Sequence, residues 1–305
     1  MNYSVVVPVY NGETTVKYLF ERIKSFFSSN GYTYEVIFVY DCGEDNSWKI
    51  LKEIKLENPE NVTLIKLSRN FGQHNALICG FEYAKGEFII SMDEDLQHNP
   101  EDIIKLIDKQ KESDYDVVYG KYIERKHSYF RNLTSSLMKK IIKIAIPDVD
   151  IDYSAFRLIK ASVAKATIEM RNSYTFLDGY LSWITSNTSS CLVTHNQRQG
   201  GESSYSYKKL LTHSINVFFT FSDLPVRFLS KLSIVIICSM SFFAIYIIVR
   251  KFIFNDLAMG YPSLILLIGF GIGFMMLGIG IIGEYVYRIS LKTTRRPNYK
   301  IDKVY

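Results

Sequence analysis

The chain has 305 residues, a formal net charge of +5 and 48% hydrophobic residues. That length suits one large domain or one domain with an appendage. The apolar share is uneven: the composition is globular to about residue 225, and two uncharged runs follow. Cys42, Cys79, Cys191 and Cys238 are scattered with no Cys-x-x-Cys pair, which excludes a disulfide framework and a cysteine zinc site and suits reduced cytosolic thiols.

In chain order, apolar runs at 3–9, 34–40, 62–67, 88–92 and 116–119 predict strands, because they are β-branched or aromatic and polar residues bound them. Amphipathic stretches near 13–29, 46–57, 74–84 and 100–113 predict the helices between them. This alternation predicts a parallel sheet with right-handed crossovers and helices on both faces. Ligands of such sheets bind outside the carboxyl ends of the strands. There this chain carries Tyr10-Asn11, Asp41, Ser68-Arg69-Asn70, Asp93-Glu94-Asp95 and Lys121. No Gly-x-Gly-x-x-Gly or Walker pattern follows the first strand, so dinucleotide and P-loop chemistry lack support. Helices are expected again around 129–146 and 160–171, ahead of a loop Arg198-Gln-Gly-Gly-Glu-Ser-Ser-Tyr205.

Residues 91–100, Ser-Met-Asp-Glu-Asp-Leu-Gln-His-Asn-Pro, close the fourth predicted strand. Three successive acids repel one another there. A divalent cation removes that cost, since carboxylate oxygens are ligands that Mg2+ and Mn2+ prefer. Asp93, Asp95 and Gln97 alternate, so an extended chain turns all three to one side. Read alone, the stretch also suits an acidic turn into a helix that Asn99 caps and Pro100 opens.

Residues 232–249 and 261–283 contain no charged side chain over 18 and 23 positions, and the second run holds six glycines. Both reach the length of a membrane-crossing helix. Lys208, Lys209, Arg227 and Lys231 precede the first run. Arg288, Lys292, Arg295, Arg296, Lys300 and Lys303 follow the second, while the connection holds only Arg250 and Lys251 against Asp256. The positive-inside rule therefore predicts that the large domain and both termini are cytoplasmic. These basic residues are suited to anionic lipid head groups more than to nucleic acid. Residues 208–229 mix basic and apolar side chains and are expected as one or two interfacial helices. No N-terminal run is long enough for a signal peptide. The glycines of the second run suit close helix packing, which leaves a homo-oligomer open.

Several motifs now occur in order: Val6-Val-Pro-Val-Tyr-Asn11, Leu67-Ser-Arg-Asn-Phe-Gly-Gln-His74, Asp93-Glu-Asp-Leu-Gln97, Phe156-Arg-Leu158 and Gly201-Glu-Ser-Ser-Tyr205. Gly260-Tyr-Pro-Ser263, Gly278-Ile-Gly-Ile-Ile-Gly-Glu-Tyr285 and Arg296-Pro297 complete the set. Together they resemble the family 2 glycosyltransferases, specifically the bacterial polyprenyl-phosphate glycosyltransferases related to dolichol-phosphate mannose synthase, over essentially the whole chain.

The resemblance implies a GT-A (Rossmann-like) α/β domain with a mainly parallel sheet, then interfacial helices and two transmembrane helices. The expected layout is a catalytic domain 1–206, an interfacial segment 207–230, a membrane hairpin 231–287 and a basic cytoplasmic tail 288–305. It implies sugar transfer from a nucleotide-sugar to a polyprenyl phosphate, usually undecaprenyl phosphate, at the cytoplasmic face of the bacterial inner membrane. A UDP-sugar is expected, and the tail motifs lean toward glucose. Pro8, Tyr10, Asn11, Asp41, Arg69 and Asp93 are the implied nucleotide contacts. Asp93, Asp95 and Gln97 are the implied Mg2+ or Mn2+ ligands, and a metal there stabilises a leaving diphosphate. Arg125, Arg131 and Arg198 are implied phosphate contacts, and Arg198 joins Asp93 and Asp95 as catalytic. A lipid phosphate is largely ionised near neutrality, its second pKa being about 6. No general base is therefore required, and in-line attack inverts the anomeric centre.

Two positions depart from the family pattern. Tyr40-Asp41-Cys42-Gly43 stands where relatives show Asp-Asp-Gly-Ser, and Ala155 stands where they often carry Asp, with Asp152 the nearest substitute. His74 and His98 are expected in structural or supporting roles. A processive polysaccharide synthase would carry Gln-x-x-Arg-Trp, and neither Trp48 nor Trp183 lies in such a motif. The altered second-strand motif points to an impaired membrane scaffold or flippase partner, and the intact Asp93-Asp95-Gln97 set points away from it.

Overall fold

The computed structural model describes residues 2–122, 143, 146, 154–170, 174–194, 196, 207–222, 224–254, 261–293 and 297–305. Its first part runs β1 (Tyr3–Val9), α1 (Val16–Asn30), β2 (Tyr34–Tyr40), α2 (Ser47–Glu57), β3 (Val62–Leu67), α3 (Gln73–Tyr83), β4 (Phe88–Ser91), α4 (Ile103–Ser113) and β5 (Val117–Tyr122). The predicted alternation is borne out to within a few residues. β6 (Arg157–Lys160), α5 (Ala161–Ala166), α6 (Leu177–Ile184) and β7 (Thr188–Val193) complete the domain. Then come α7 (Tyr207–Phe221), α8 (Leu224–Phe254), α9 (Tyr261–Thr293) and β8 (Ile301–Val304). The helix expected at 129–146 falls almost wholly outside the described residues.

The strands form one sheet in the order β7-β5-β6-β4-β1-β2-β3-β8. β1 is parallel to β2 and β4, β2 to β3, and β5 to β7. β6 inserts antiparallel between β4 and β5, and β8 closes the far edge antiparallel to β3. β1 and β2 are buried along their whole length, as helices on both faces of a parallel sheet require. The period-2 alternation of a strand sorts their side chains. Val5, Val7 and Val9 join Leu19, Phe20 and Phe27 of α1 and Leu106 of α4 on one face. Val6, Ile37 and Val39 join Leu77, Ile78 and Phe81 of α3 on the other. Each such side chain contributes about 1.5–3 kcal/mol by leaving water. The one proline of β1, Pro8, faces the β4 side, as Val6 does where its carbonyl takes the Met92 N–H at 3.3 Å. β4 has ended by then, so the missing N–H leaves no rung unmade.

The long helices differ from expectation in one boundary. α7 ends at Phe221, and α8 runs without interruption from Leu224 into the uncharged run, so no separate segment stops at residue 230. Pro225 lies in the first turn of α8, where a missing N–H costs nothing. Phe221 anchors this corner to the domain, its ring 4.7 Å from Trp183 and 6.0 Å from both Tyr180 and Phe176. From α9, Tyr285 donates its hydroxyl to Ser222 O at 2.7 Å and Arg288 donates to Thr220 Oγ1 at 3.0 Å. Among the described residues one stretch, Gly271–Ser290, is long and apolar enough by composition to cross a membrane.

Candidate active site

The carboxyl ends of β1, β2, β3 and β4 converge along one edge of the sheet. Three of the four non-glycine residues with positive φ among those described lie here: Asn11 (57°), Cys42 (54°) and Leu96 (61°). Such conformations cost of order 1–3 kcal/mol each and concentrate at functional sites.

Hydrogen bonds tie the β1 and β2 loops together. Gly12 N–H donates to Ser47 Oγ at 2.8 Å, Glu13 N–H to Asp45 Oδ2 at 2.8 Å, and Glu44 N–H to Asn11 Oδ1 at 2.8 Å. Gly43 permits this approach, since a Cβ there would lie 2.5 Å from Asn11 Oδ1. An open cleft of about 380 Å³ between the loops is lined by Asn11, Glu13, Thr14, Glu44 and Asp45. Tyr10 and Asn11 are exposed beside it.

Asp41 is buried, and its two oxygens accept the N–H groups of Phe71 (2.7 Å) and Gly72 (2.8 Å). Burial pushes its carboxyl above the usual range, and the two amides hold it back. The carboxylate thus fixes the turn after β3, where Gly72 takes φ +88°, a conformation that favours glycine. Pro8 and Asp41, both expected at the nucleotide, are buried at this edge of the sheet. Arg69 is exposed on that turn, its guanidinium 4.7 Å from the Phe71 ring centre. Cys42, where the family pattern has a glycine, donates its thiol to Leu67 O at 2.8 Å.

The acidic stretch is a turn, not an extended strand end. β4 stops at Ser91, Asp95 Oδ1 accepts the Gln97 N–H at 3.1 Å, and Leu96 is left-handed with its side chain buried. Simple alternation therefore does not bring Asp93, Asp95 and Gln97 to one side; a side-chain-to-backbone turn sets their placement instead. Gln73, at the start of α3, donates to Asp93. His98 is buried, stacks on Phe156 with ring centres 5.3 Å apart, and accepts the Asp93 N–H at Nδ1, 3.3 Å away. Asn99 does not cap the next helix: its Oδ1 accepts Arg22 at 2.9 Å and Asn196 at 2.6 Å. Glu94 reaches back to β1, where Oε1 accepts the Tyr10 N–H at 3.4 Å. Burial first, and then the charge of Asp93, pushes the Glu94 carboxyl up to about 8.

Among the described residues no three His, Cys, Asp or Glu side chains are gathered into a ready-made metal cluster. The donor set still fits Mg2+ or Mn2+, which usually takes one or two carboxylates and completes its shell with substrate phosphates and water. Arg125, Arg131 and Arg198 lie outside the described residues, as does Asp152. Beneath the site Arg157, opposite Ser91 in the sheet, forms a fully buried ion pair with Asp178 of α6. Gln73 and this ion pair are the parts that sequence reasoning missed. Their linear signals were the Leu67–His74 motif for Gln73 and Phe156-Arg-Leu158 for Arg157, whose partner lies 21 positions away.

Residues 4–167 match the family model described as Glycosyl transferase family 2. The uncharacterized glycosyltransferase YkcC of Bacillus subtilis is 33% identical over 100% of this chain and 94% of its own length. The undecaprenyl-phosphate 4-deoxy-4-formamido-L-arabinose transferase of Photorhabdus laumondii is 33% identical over 99% of this chain and 93% of its own. Among solved structures, glucosyl-3-phosphoglycerate synthase of Mycobacterium tuberculosis with Mn2+ and UDP-glucose aligns with a TM-score of 0.54 at 13% identity, covering 72% of this chain and 77% of that one. That likeness is one of fold, the GT-A arrangement.

Proposed function

Because the chain belongs to glycosyl transferase family 2, we propose that this glycosyltransferase moves a sugar from a nucleotide-sugar to a polyprenyl phosphate, undecaprenyl phosphate in bacteria, at the cytoplasmic face of the inner membrane. The observation that carries this reading is the Asp93–Asp95 turn. It lies at the carboxyl edge of the sheet, joined to α3 through Gln73 and to the β1 loop through Glu94. The relative from Photorhabdus, named for undecaprenyl phosphate, supports the acceptor.

Asp93, Asp95 and Gln97 would hold Mg2+ or Mn2+, which when bound neutralises charge on the leaving diphosphate. Gln73 orients Asp93, and the Asp95 turn presets the loop, so little reorganisation remains when the donor arrives. Tyr10, Asn11 and Arg69 contact the nucleotide from the exposed edge, and Pro8, Asp41 and Asp93 complete the nucleotide contacts. Arg125, Arg131 and Arg198 hold the two phosphate-bearing substrates. The ionised lipid phosphate attacks the anomeric carbon opposite the leaving diphosphate and inverts it, with no side chain required to take a proton. A UDP-sugar is the proposed donor. Glucose is suggested by the tail motifs, and 4-deoxy-4-formamido-L-arabinose by the named relative.

The two-span hairpin is supported by chain geometry. β8 pairs with β3 of the domain that precedes α7, so an even number of crossings must separate them. α8 and α9 have 31 and 33 residues, about 46 and 50 Å at 1.5 Å per residue, against a hydrocarbon core of about 30 Å. Both termini then lie on the cytoplasmic side.

The test is transfer of labelled sugar, from both candidate UDP-sugars, to undecaprenyl phosphate by purified protein. Transfer should require Mg2+ or Mn2+, and Asp95→Ala should lower turnover at least about a hundredfold with an unchanged melting profile. Full turnover in a chelator, or in Asp95→Ala, would sink the metal assignment.

A further inference from the structure

Residues 297–305 do not trail from α9 but cross the domain. Asn298 Nδ2 donates to Met170 O at 3.0 Å, and the Tyr299 hydroxyl donates to Glu82 of α3 at 2.7 Å. β8 then pairs with β3, Val304 opposite Ile65 and Lys303 opposite Lys66. Leu64 and Tyr305 exchange both backbone hydrogen bonds, at 3.0 and 2.8 Å. Asp302 lies 3.4 Å from Lys66, and the Tyr305 ring is 5.9 Å from Trp48 of α2. The last rung is Ser68 N–H to Lys300 O at 2.8 Å.

Ser68 immediately precedes Arg69. The chain that β8 holds from Leu64 to Ser68 therefore runs straight into the exposed Arg69 and the Phe71–Gly72 amides on Asp41. Without β8, β3 is an open edge strand, and the terminal rungs of an edge are the first to fray.

We propose that residues 297–305 are a positioning strap for the donor site: by completing the sheet beyond β3 they hold the Arg69–Gly72 turn in the geometry that binds a nucleoside diphosphate. This rests on the donor-site reading above. Only three residues, 294–296, separate α9 from the strap in sequence, and the strap and the nucleotide turn share one hydrogen-bonded ladder. Its role is to position, since none of residues 297–305 needs to touch the substrate.

Two variants test this beside the full chain, all purified in detergent. One ends at Arg296. The other is full-length Lys303→Pro, in which an exposed residue loses an N–H. Lys303 faces Lys66 two positions from the doubly bonded Tyr305–Leu64 pair, so that N–H belongs to the ladder. Binding of UDP with Mn2+ is measured by calorimetry, with GDP, CDP and dTDP beside it. Both variants should raise the Kd of the nucleotide that binds by about tenfold, and raise donor KM with kcat at saturation within about twofold. A synthetic peptide of residues 297–305 added to the shortened chain should restore tight binding. If the shortened chain does not fold, Lys303→Pro alone decides. Undiminished nucleotide binding in the folded variants, or a fall in kcat with KM unchanged, overturns the strap. A full chain that binds no nucleoside diphosphate overturns the strap and the donor-site reading together.

Discussion

Asp93, Glu94 and Asp95 are neighbours in sequence with three different environments. Asp93 is held by Gln73, Asp95 binds the backbone of its own turn, and Glu94 is packed toward β1. The consequence for Glu94 is a pH dependence. Its ordinary value is 4.5 and its folded value is about 8, so the folded chain binds the proton more tightly than the unfolded one. Stability linked to that proton is fully present below about pH 4.5 and is lost as pH rises toward 8. Metal-free protein should therefore show a melting temperature that falls between pH 5 and 8, measured by thermal scans. Glu94→Gln should flatten that slope, and an unchanged slope would discard the assignment. At the same scale, the loss of turnover expected for Asp95→Ala separates a chemical role from a turn-forming one. The Asp95 carboxylate accepts the Gln97 N–H across its own turn, so the melting profile of the variant reads the turn-forming part and its turnover reads the rest.

At the scale of elements, β6 and α6 matter more than their lengths suggest. β6 inserts against the run of the sheet between β4 and β5 and brings Arg157 beneath the acidic turn. α6 brings Asp178 to meet it with both side chains 2% exposed. A buried pair of this kind is neutral against an apolar replacement but costly to break on one side. Arg157→Met should thus lower stability by about 3–5 kcal/mol, because it strands a buried carboxylate. Arg157→Met combined with Asp178→Leu should recover most of the loss, as read by chemical denaturation of the detergent-solubilised protein. If the double variant is no better than the single one, the pair is not the reason β6 sits where it does. The alternation of the first 120 residues was legible because buried parallel strands read as unbroken apolar runs. β6 and α6 were not, since four and eight residues carry too little periodicity to announce themselves.

For the whole molecule, the C-terminal strand and the long helices decide how the parts are joined. The tail reads in sequence as a basic cytoplasmic end, and the fold makes it the eighth strand of the sheet. On the proposed membrane hairpin, a chain that returns to its starting domain crosses the bilayer an even number of times. A reporter fused after Tyr305 should accordingly be cytoplasmic, and one placed within 255–260 should be external. A cytoplasmic signal from the 255–260 site would leave α8 and α9 without a spanning role.

The sequence by itself determined the GT-A core, the order of its strands' apolar runs, the carboxyl-edge location of Asp93 and Asp95, and the family. These follow from local pattern and from motifs contiguous in the chain. Tertiary structure alone decided that the acids sit on a left-handed turn, that Asp41 serves two backbone amides, that Arg157 meets Asp178, and that residues 301–304 close the sheet beside β3. The physical reason is common to all four. Each depends on which hydrogen-bond partner a polar group finds after burial, and those partners lie 2 to 241 positions away, as Asp95 to Gln97 and Leu64 to Tyr305 mark the extremes. Hydrophobic periodicity reports which face is buried but carries no record of that pairing.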